Sequence, residues 1–445
     1  MERSSSIQRS SHTVYTSLED WVRHESIPFS LDSSKIFNAS IDKVIGSLDS
    51  SVKLLGFGEA LHGGEAILIL RNRLFQHLVE KHGYSAIAIE SSFPRGRIVN
   101  EYINGCGPAS YEEMQDTGFS HSFGCLEANR ELVEWMREYN TDPSHRVKLH
   151  FYGFDSPTEM MNTDSPRQAL YFVLDYLASI DMHSAKKHRE RIDLLLGQDA
   201  DWENPAAMMD PEKSIGMSPT ANALRIETEN LISELYVRRP ELVAKSDQSQ
   251  YLEALHYAKL ARQLLNYHTT LAKRSEPGKR IVECLGLRDL MMAKNLEYIV
   301  SHERGRGKVM AFAHNSHLQR GKAQWQLGTD LLTWWPAGSH LNEIFGSHYA
   351  IIGSAVGVSD SNGIHQPEVG TLESLLTGLP EPALFIPTHK GKVLPTSAIS
   401  ALPTRSCSAK NPTYFALTPQ SFTDFDWLAF LDSTTYSRGG PQLQQ

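Results

Sequence analysis

Short apolar runs alternate along this chain with stretches whose apolar residues recur at helical spacing. Val52 to Phe57 reads as a buried strand, and Ile87 to Ile89, Phe151 to Phe154 and Val309 to Ala313 have the same character. Each run empties into groups that titrate or bind a proton: Gly58-Glu59-Ala60-Leu61-His62-Gly63, Glu90, Asp155, and His314-Asn315-Ser316-His317. Between the first two strands, Glu65 to His82 has helical periodicity and stops at Gly83, a residue suited to the left-handed position beyond a helix end. Strand, helix and strand make a βαβ unit in which Glu90 ends the strand adjacent to the one carrying Glu59. In an open α/β sheet the outgoing strand ends are where ligands bind.

A short amphipathic segment is expected at Leu18 to His24, and further helices at Ser34 to Leu48 and Leu126 to Tyr139, the last leading to the strand that ends at Asp155. From Arg167 to about Arg280 the pattern is helical throughout: Ala169 to Ile180, Lys186 to Leu196, Thr220 to Tyr236 and Ser249 to Leu271. Strands disappear there, which predicts a helical lobe inserted into an α/β core. The helix Leu287 to His302 returns the chain to the core, with further strands at Tyr349 to Val356 and Ala383 to Pro387 and loop at Lys392 to Asn411. The expected organisation is a flexible lead over 1–15, an α/β core over 16–166 and 281–445, and a helical lobe over 167–280. The core sheet is mostly parallel and flanked by helices.

The composition narrows the functional classes. With 445 residues, 40% apolar and 21% charged, the chain can bury a large core. A net charge of -9 and no long Lys/Arg cluster speak against nucleic acid as a partner. The Ser/Thr-rich start from Met1 to Thr16 lacks the apolar stretch of a secretory signal, and no run of about 18 apolar residues occurs, so a soluble, cytoplasmic protein without a membrane partner is expected. Cys106, Cys125, Cys284 and Cys407 have no CxxC spacing and read as free thiols.

The candidate chemistry gathers at the strand ends. Glu59, three residues before His62, can fix the tautomer of that imidazole or raise its basicity, as a general base near neutral pH requires, and Glu90 can do the same. On the helix after His62, Arg71 falls on the stripe marked by Ile67, Leu70, Leu74 and Leu78. It therefore either meets a carboxylate, Glu59 or Glu90 being nearest in topology, or snorkels at the helix edge. His314 and His317, separated by two residues, would share one side of a helical turn, and with Glu59 or Glu90 they would match a zinc or iron ligand set. The chain has no HExxH; His302-Glu303 is followed at the needed place by Arg306. Gly56-Phe57-Gly58 begins like a dinucleotide fingerprint but has Leu61 at its sixth position, and Gly118-Phe119-Ser120-His121-Ser122 begins like a nucleophile elbow but ends in Ser. Trp334-Trp335-Pro336 reads as an apolar loop anchor or a ligand wall.

The ordered set Gly58-Glu59-Ala60-Leu61-His62-Gly63, Leu70-Arg71-Asn72-Arg73-Leu74, Ala88-Ile89-Glu90, Gly153-Phe154-Asp155, Arg288-Asp289 with Met292-Ala293, and Ala313-His314-Asn315-Ser316-His317 resembles the erythromycin esterases and their relatives. It spans about 50 to 355, with Leu61 where threonine is usual. The resemblance implies an α/β core, a helical lobe and a cleft between them, and hydrolysis of an ester or macrolactone without a serine nucleophile. Glu59, His62, Arg71, Glu90, His314 and His317 fall on the family's functional positions, with His62 as general base; the mechanism expected from these residues has His314, His317 and Arg71 as donors to the tetrahedral oxyanion. No cofactor is implied, and metal dependence stays open. Two alternatives accompany this expectation: a metal- or haem-binding protein of the same fold, and an esterase of polysaccharide or secondary-metabolite esters.

Overall fold

The computed structural model describes residues 15, 17–158, 163–388 and 399–443. The flexible lead expected over 1–15 and part of the loop from Lys392 fall almost wholly outside the described residues.

Ten strands are described: β1 (Ile27–Pro28), β2 (Leu54–Glu59), β3 (Tyr84–Ser92), β4 (His150–Asp155), β5 (Lys308–His314), β6 (Ala323–Leu327), β7 (Asp330–Trp334), β8 (Tyr349–Val358), β9 (Ala383–Pro387) and β10 (Trp427–Ser433). Eight of them form one sheet in the order β1-β9-β10-β8-β2-β5-β3-β4, and β6 with β7 makes a separate antiparallel hairpin. The six strands from β10 to β4 run parallel, while β9 is antiparallel to β10 and β1 to β9. The fold is α/β, with a mostly parallel sheet flanked by helices.

The side chains of the central strands explain the two layers. In β3 and β5, Ile87, Ile89, Met310 and Phe312 point to one face, where they bury against the helices Ser34–Ser47, Glu65–His82 and Glu127–Thr141. The alternate positions are small: Ala86, Ala88, Ala311 and Ala313 lie on the other face. Small residues let backbone come close. A Cβ on Gly58 would stand 2.2 Å from Asn315 Oδ1, and one on Gly96 would stand 2.0 Å from Gly153 N.

Between β4 and β5 the described residues form helices and no strand: Arg167–Ile180, Met182–Leu196, Pro219–Val237, Gln248–Leu271 and Pro277–His302 are the long ones. The last begins ten residues before the expected Leu287 and spans 26 residues, so the boundary expected at 280 falls in its first turn. Pro at its start suits the first turn, where the missing N–H costs nothing.

Two expectations are corrected. Strand β5 lies between β2 and β3, so the strand of Glu90 is not adjacent to that of Glu59. Nor does Glu90 end its strand, for β3 continues through Ser92 with a register shift between Ile89 and Ser92. Bulges of this kind re-aim a side chain, and here the shift falls on Glu90 and Ser91. The strand β10, inside the sheet between β8 and β9, was not foreseen.

Candidate active site

Glu59 and His314 are paired neighbours in the β2–β5 register, at the outgoing end of the sheet. Just beyond them the chain turns, and His62 folds back so that its Nδ1 stands 2.5 Å from Glu59 Oε1. The turn is clamped from the C-terminal part of the chain. Thr413 Oγ1 accepts the His62 N–H at 3.0 Å, Asn411 Nδ2 donates to His62 O at 3.2 Å, and the Phe415 N–H donates to Ala60 O at 2.7 Å.

The His62 side chain is 28% exposed, whereas that of Glu59 is buried. With Nδ1–H given to Glu59, the other nitrogen is the basic one, and it faces Glu90 Oε1 at 3.9 Å. Burial alone would lower the pKa of His62, but the charges of Glu59 and Glu90 outweigh it and the value lies above the ordinary 6.5. Glu59 is raised in turn, mainly by burial, against the pull of His62. Its Oε2 is buried and has no hydrogen-bond partner among the described residues.

Glu90 sits amid cations. Its Oε1 is 3.2 Å from Arg288 Nη2 and 3.3 Å from His317 Nε2, and its Oε2 accepts the backbone N–H of His314 at 2.8 Å. Burial would raise this carboxyl, yet His317 and His62 hold it well below the usual carboxylate range. Arg288 also grips Asp155 with two bonds, at 3.0 and 2.6 Å, and although burial opposes its charge, Asp155 and Glu90 keep its pKa above the ordinary arginine value. His317 bridges two carboxylates, its Nδ1 standing 2.7 Å from Asp289 Oδ1. Burial works against the imidazolium, but Asp289 and Glu90 push its pKa up to about 10. Asp289 is fixed by Trp334 Nε1–H at 2.6 Å and by the Ala337 N–H at 3.0 Å.

The two histidines after β5 do different things. His314 places Nε2 2.6 Å from Thr413 O and Nδ1 3.2 Å from the Ser316 N–H, so it donates from Nε2 and accepts at Nδ1. That pattern is the neutral imidazole, and burial with the charge of His62 brings its pKa down to about 3. The rings of His314 and His317 are 6.5 Å apart and steeply tilted, so they do not share one side as a ligand pair. Among the described residues at this site the three donors within metal-binding range of one another are Glu59, His62 and Glu90.

Arg71 is 1% exposed, which sets aside snorkelling, but its hydrogen bonds go to neutral acceptors rather than to a carboxylate. Nη1 donates to Asn129 Oδ1 at 2.7 Å, Nε and Nη2 to Asn72 Oδ1, and Nη2 to Ala128 O, with Phe312 beneath the guanidinium at 4.8 Å. Burial lowers its pKa to about 10, with the charge of Glu59 opposing. Arg71 does line, with Glu59, Glu90, Phe123 and Phe312, a cavity of about 10 Å³, room for one water.

The structure thus brings Glu59, His62, Glu90 and His317 into one hydrogen-bonded and charged group, with His314 and Arg71 at its edges. Residues outside the expected catalytic set also belong there. Trp334 is buried and anchors Asp289, while Trp335 is exposed. Thr413 and Asn411 lie in a polar stretch without pattern, where nothing in the sequence marks them. His121 was visible in Gly118-Phe119-Ser120-His121-Ser122 but was weighed as part of a serine motif; its Nε2 lies 3.8 Å from Asp155 Oδ2. The cysteines are free, and only Cys284 is buried.

Similarity to known proteins identifies the family and the fold. The sequence profile of the family described as Erythromycin esterase matches residues 79–434, a span that includes Glu90, Arg288, His314 and His317. The chain is 25% identical over 362 residues to the erythromycin esterase type II of Escherichia coli, covering 79% of this chain and 80% of that protein. Among solved structures, a Bacillus cereus protein matches with a TM-score of 0.73 at 17% identity, over 95% of this chain and 98% of the other. A mutant of the erythromycin esterase EreC in its open conformation matches with a TM-score of 0.67 at 17% identity, over 93% and 98%.

Proposed function

The chain belongs to the erythromycin esterase family, and from that premise we propose that it hydrolyses a carboxylic ester by water that His62 deprotonates. The observation that carries this reading is the arrangement of His62 itself. Its Nδ1 is tied to buried Glu59 at 2.5 Å, its Nε2 is turned toward the cationic cluster around Glu90, and its ring is partly open to solvent. A raised pKa makes it a stronger base than free histidine, and general-base help of this kind contributes roughly 10² to 10⁴ in rate. Arg288 and His317 supply positive charge beside the place where a carbonyl oxygen becomes negative. His314 acts through position: its N–H holds Glu90 and its ring holds Thr413. Arg71 acts similarly, pinning Asn129 and Asn72 behind the cavity shared by the two carboxylates.

The substrate we propose is a macrolactone of the erythromycin type, taken up between the outgoing strand ends and the helical stretch 167–280. The relatives at 23–25% identity named erythromycin esterases support the class, and esters of other secondary metabolites or polysaccharides are the competing substrates. Mass spectrometry of a panel of macrolides and simple esters tests it: the expected product has gained one water, with macrolactones turned over fastest. Turnover of simple esters with macrolactones untouched would remove the antibiotic and keep the hydrolase.

A second reading, metal binding by Glu59, His62 and Glu90, has their mutual closeness in its favour. The donor chemistry fits a divalent ion poorly. Glu90 Oε1 is shared by Arg288 and His317, whose charges repel a further cation. Metal analysis with turnover in chelator separates the readings: hydrolysis by metal-free protein supports the esterase, and stoichiometric metal without hydrolysis supports binding.

A further inference from the structure

The helix Glu65–His82 starts just after His62, and the residue that precedes it, Gly64, has no side chain with which to cap it. The first N–H groups of a helix lack partners within it, and here they find them in a distant part of the chain. The Glu65 N–H donates to Thr435 O and the Ala66 N–H to Thr434 Oγ1, each at 3.0 Å. The Ser437 N–H donates in return to Gly63 O at 2.7 Å, which completes an antiparallel bridge between Gly64 and Tyr436. The helix Glu127–Thr141 also begins without a side-chain cap, and its Glu127 N–H donates to Arg438 O at 3.0 Å. Residues 434–438, which follow β10 directly, therefore cap both the helix that leaves His62 and the helix whose Asn129 holds Arg71.

Gly63 is fitted to this segment. Its φ of +74° is open to glycine, and a Cβ there would stand 2.8 Å from the Tyr436 ring. Glu65 then locks the segment down. Its side chain is buried, its Oε2 accepts from Ser437 Oγ and from the Arg438 N–H, each at 3.0 Å, and its Oε1 accepts from Arg438 Nε at 2.6 Å. Hydrogen bonds to an ionised partner are roughly twice as strong as neutral ones. The segment is anchored in turn away from the site, where the Thr434 N–H donates to Val358 O at 3.0 Å and the Tyr436 N–H to Ser361 Oγ at 2.7 Å. The turn that bears His62 is thus held on two sides, residues 60–62 by Asn411, Thr413 and Phe415, and residues 63–66 by 434–438.

We propose that Glu65 is a positioning residue for the ester hydrolysis: by latching residues 434–438 over the turn after His62, it holds that imidazole against Glu59. This rests on the ester-hydrolase reading above. Glu65 acts through the backbone of Gly63 and Gly64 and takes no part in the proton transfers. Once the latch is lost, the turn is held on one side alone and the 2.5 Å contact between His62 Nδ1 and Glu59 loosens. A misplacement of about 1 Å from a change away from the chemistry costs up to ~10² in rate. It also alters the charge around the base. The titratable groups that act on His62 are Glu59, Glu90, His121, His314 and His317, and the two carboxylates are what raise its pKa above the ordinary value. With Glu59 further off that value falls, so the acid limb of kcat/KM moves to lower pH.

Steady-state kinetics across pH, on the ester that the unaltered protein turns over fastest and well below each variant's unfolding midpoint, test this. Glu65→Ala removes the bonds to Ser437 and Arg438 and is expected to lower kcat/KM by ~10 to 10², with the acid limb at lower pH. Glu65→Gln keeps an acceptor for Ser437 and the Arg438 N–H and is expected to recover at least about threefold of that loss. Arg438→Ala gives up a half-exposed side chain and should lose about three- to tenfold, its limb moving the same way; it decides the matter alone if Glu65→Ala does not fold. Folded variants with kcat/KM within about twofold of the unaltered protein overturn the inference, as does a loss with the limb unmoved, which a merely structural Glu65 would give, or an equal loss in Glu65→Ala and Glu65→Gln. If the unaltered protein hydrolyses no ester in the panel, the function reading fails and this inference with it; an active unaltered protein beside variants of equal rate and equal limb removes this inference alone.

Discussion

Replacing Glu59 by Gln separates what the site needs for chemistry from what it needs for stability. The carboxylate lies 2.5 Å from His62 Nδ1, and an opposite charge this close moves a pKa by roughly 1 to 3 units. Gln removes that charge, and its amide can donate to Nδ1, which places the ring proton on Nε2 where the base must be bare. Both effects act against catalysis, so kcat/KM should fall by roughly 10² to 10⁴, the whole range of general-base help. Stability should move differently. The folded pKa of Glu59 is raised above 4.5, so its contribution to stability is present below the unfolded value and is lost as pH rises through the folded one. At neutral pH the ionised side chain is therefore a cost to the fold, as its buried and unpartnered Oε2 also indicates. Unfolding by urea at pH 7 should show the Gln variant less stable by no more than about 1 kcal/mol, or more stable than the unaltered protein. A variant that keeps its rate, or one that loses rate because it unfolds, would refute the reasoning.

Three further outcomes follow from the same geometry. Because His62 must be neutral to act and its pKa lies above 6.5, kcat/KM should fall as pH drops through a value above 6.5, and in Glu59→Gln that limb should move to lower pH; a limb unmoved by the substitution contradicts the pairing. His317→Ala leaves Glu90 and Asp289 buried beside one fewer cation, which should cost about 3 to 5 kcal/mol in denaturant unfolding, the loss being largest below pH 6.5 and shrinking as pH rises toward 10, where the imidazolium of the unaltered protein itself titrates. Gly58→Ala would put a Cβ 2.2 Å from Asn315 Oδ1 and disturb the bonds that tie Asn315 to Ser354; thermal unfolding should report a loss of about 1 to 3 kcal/mol, and an unchanged midpoint would mean that the turn after His314 yields freely.

The fold was legible where pattern length allowed it. Glu65–His82 carries its own apolar stripe and ends at Gly83, φ +71°, so both its limits could be read from local sequence. The order of strands could not be, because β5 enters the sheet between β2 and β3 from more than 200 residues away, and nothing local records that crossing. Glu59, His62, Glu90, His314 and His317 stood out because each lies at or just beyond the end of a short apolar run. Their pairing did not. Arg71 lay on a core-facing stripe and so called for a partner, and the partners are the amides Asn72 and Asn129, whose side chains satisfy a guanidinium without any charge to betray them. Thr413 reaches His62 and His314 from a polar segment with no periodicity, so contact alone reveals it.

The most direct measurement for the central claim is turnover by His62→Ala on the ester that the unaltered protein hydrolyses fastest, with thermal unfolding followed on the same samples. His62 is partly exposed and its removal opens no large cavity but leaves buried Glu59 without its partner, so the variant should fold with a lowered unfolding midpoint, while its turnover well below that midpoint falls to background. A folded His62→Ala protein that still hydrolyses the ester at near-normal rate would contradict the account.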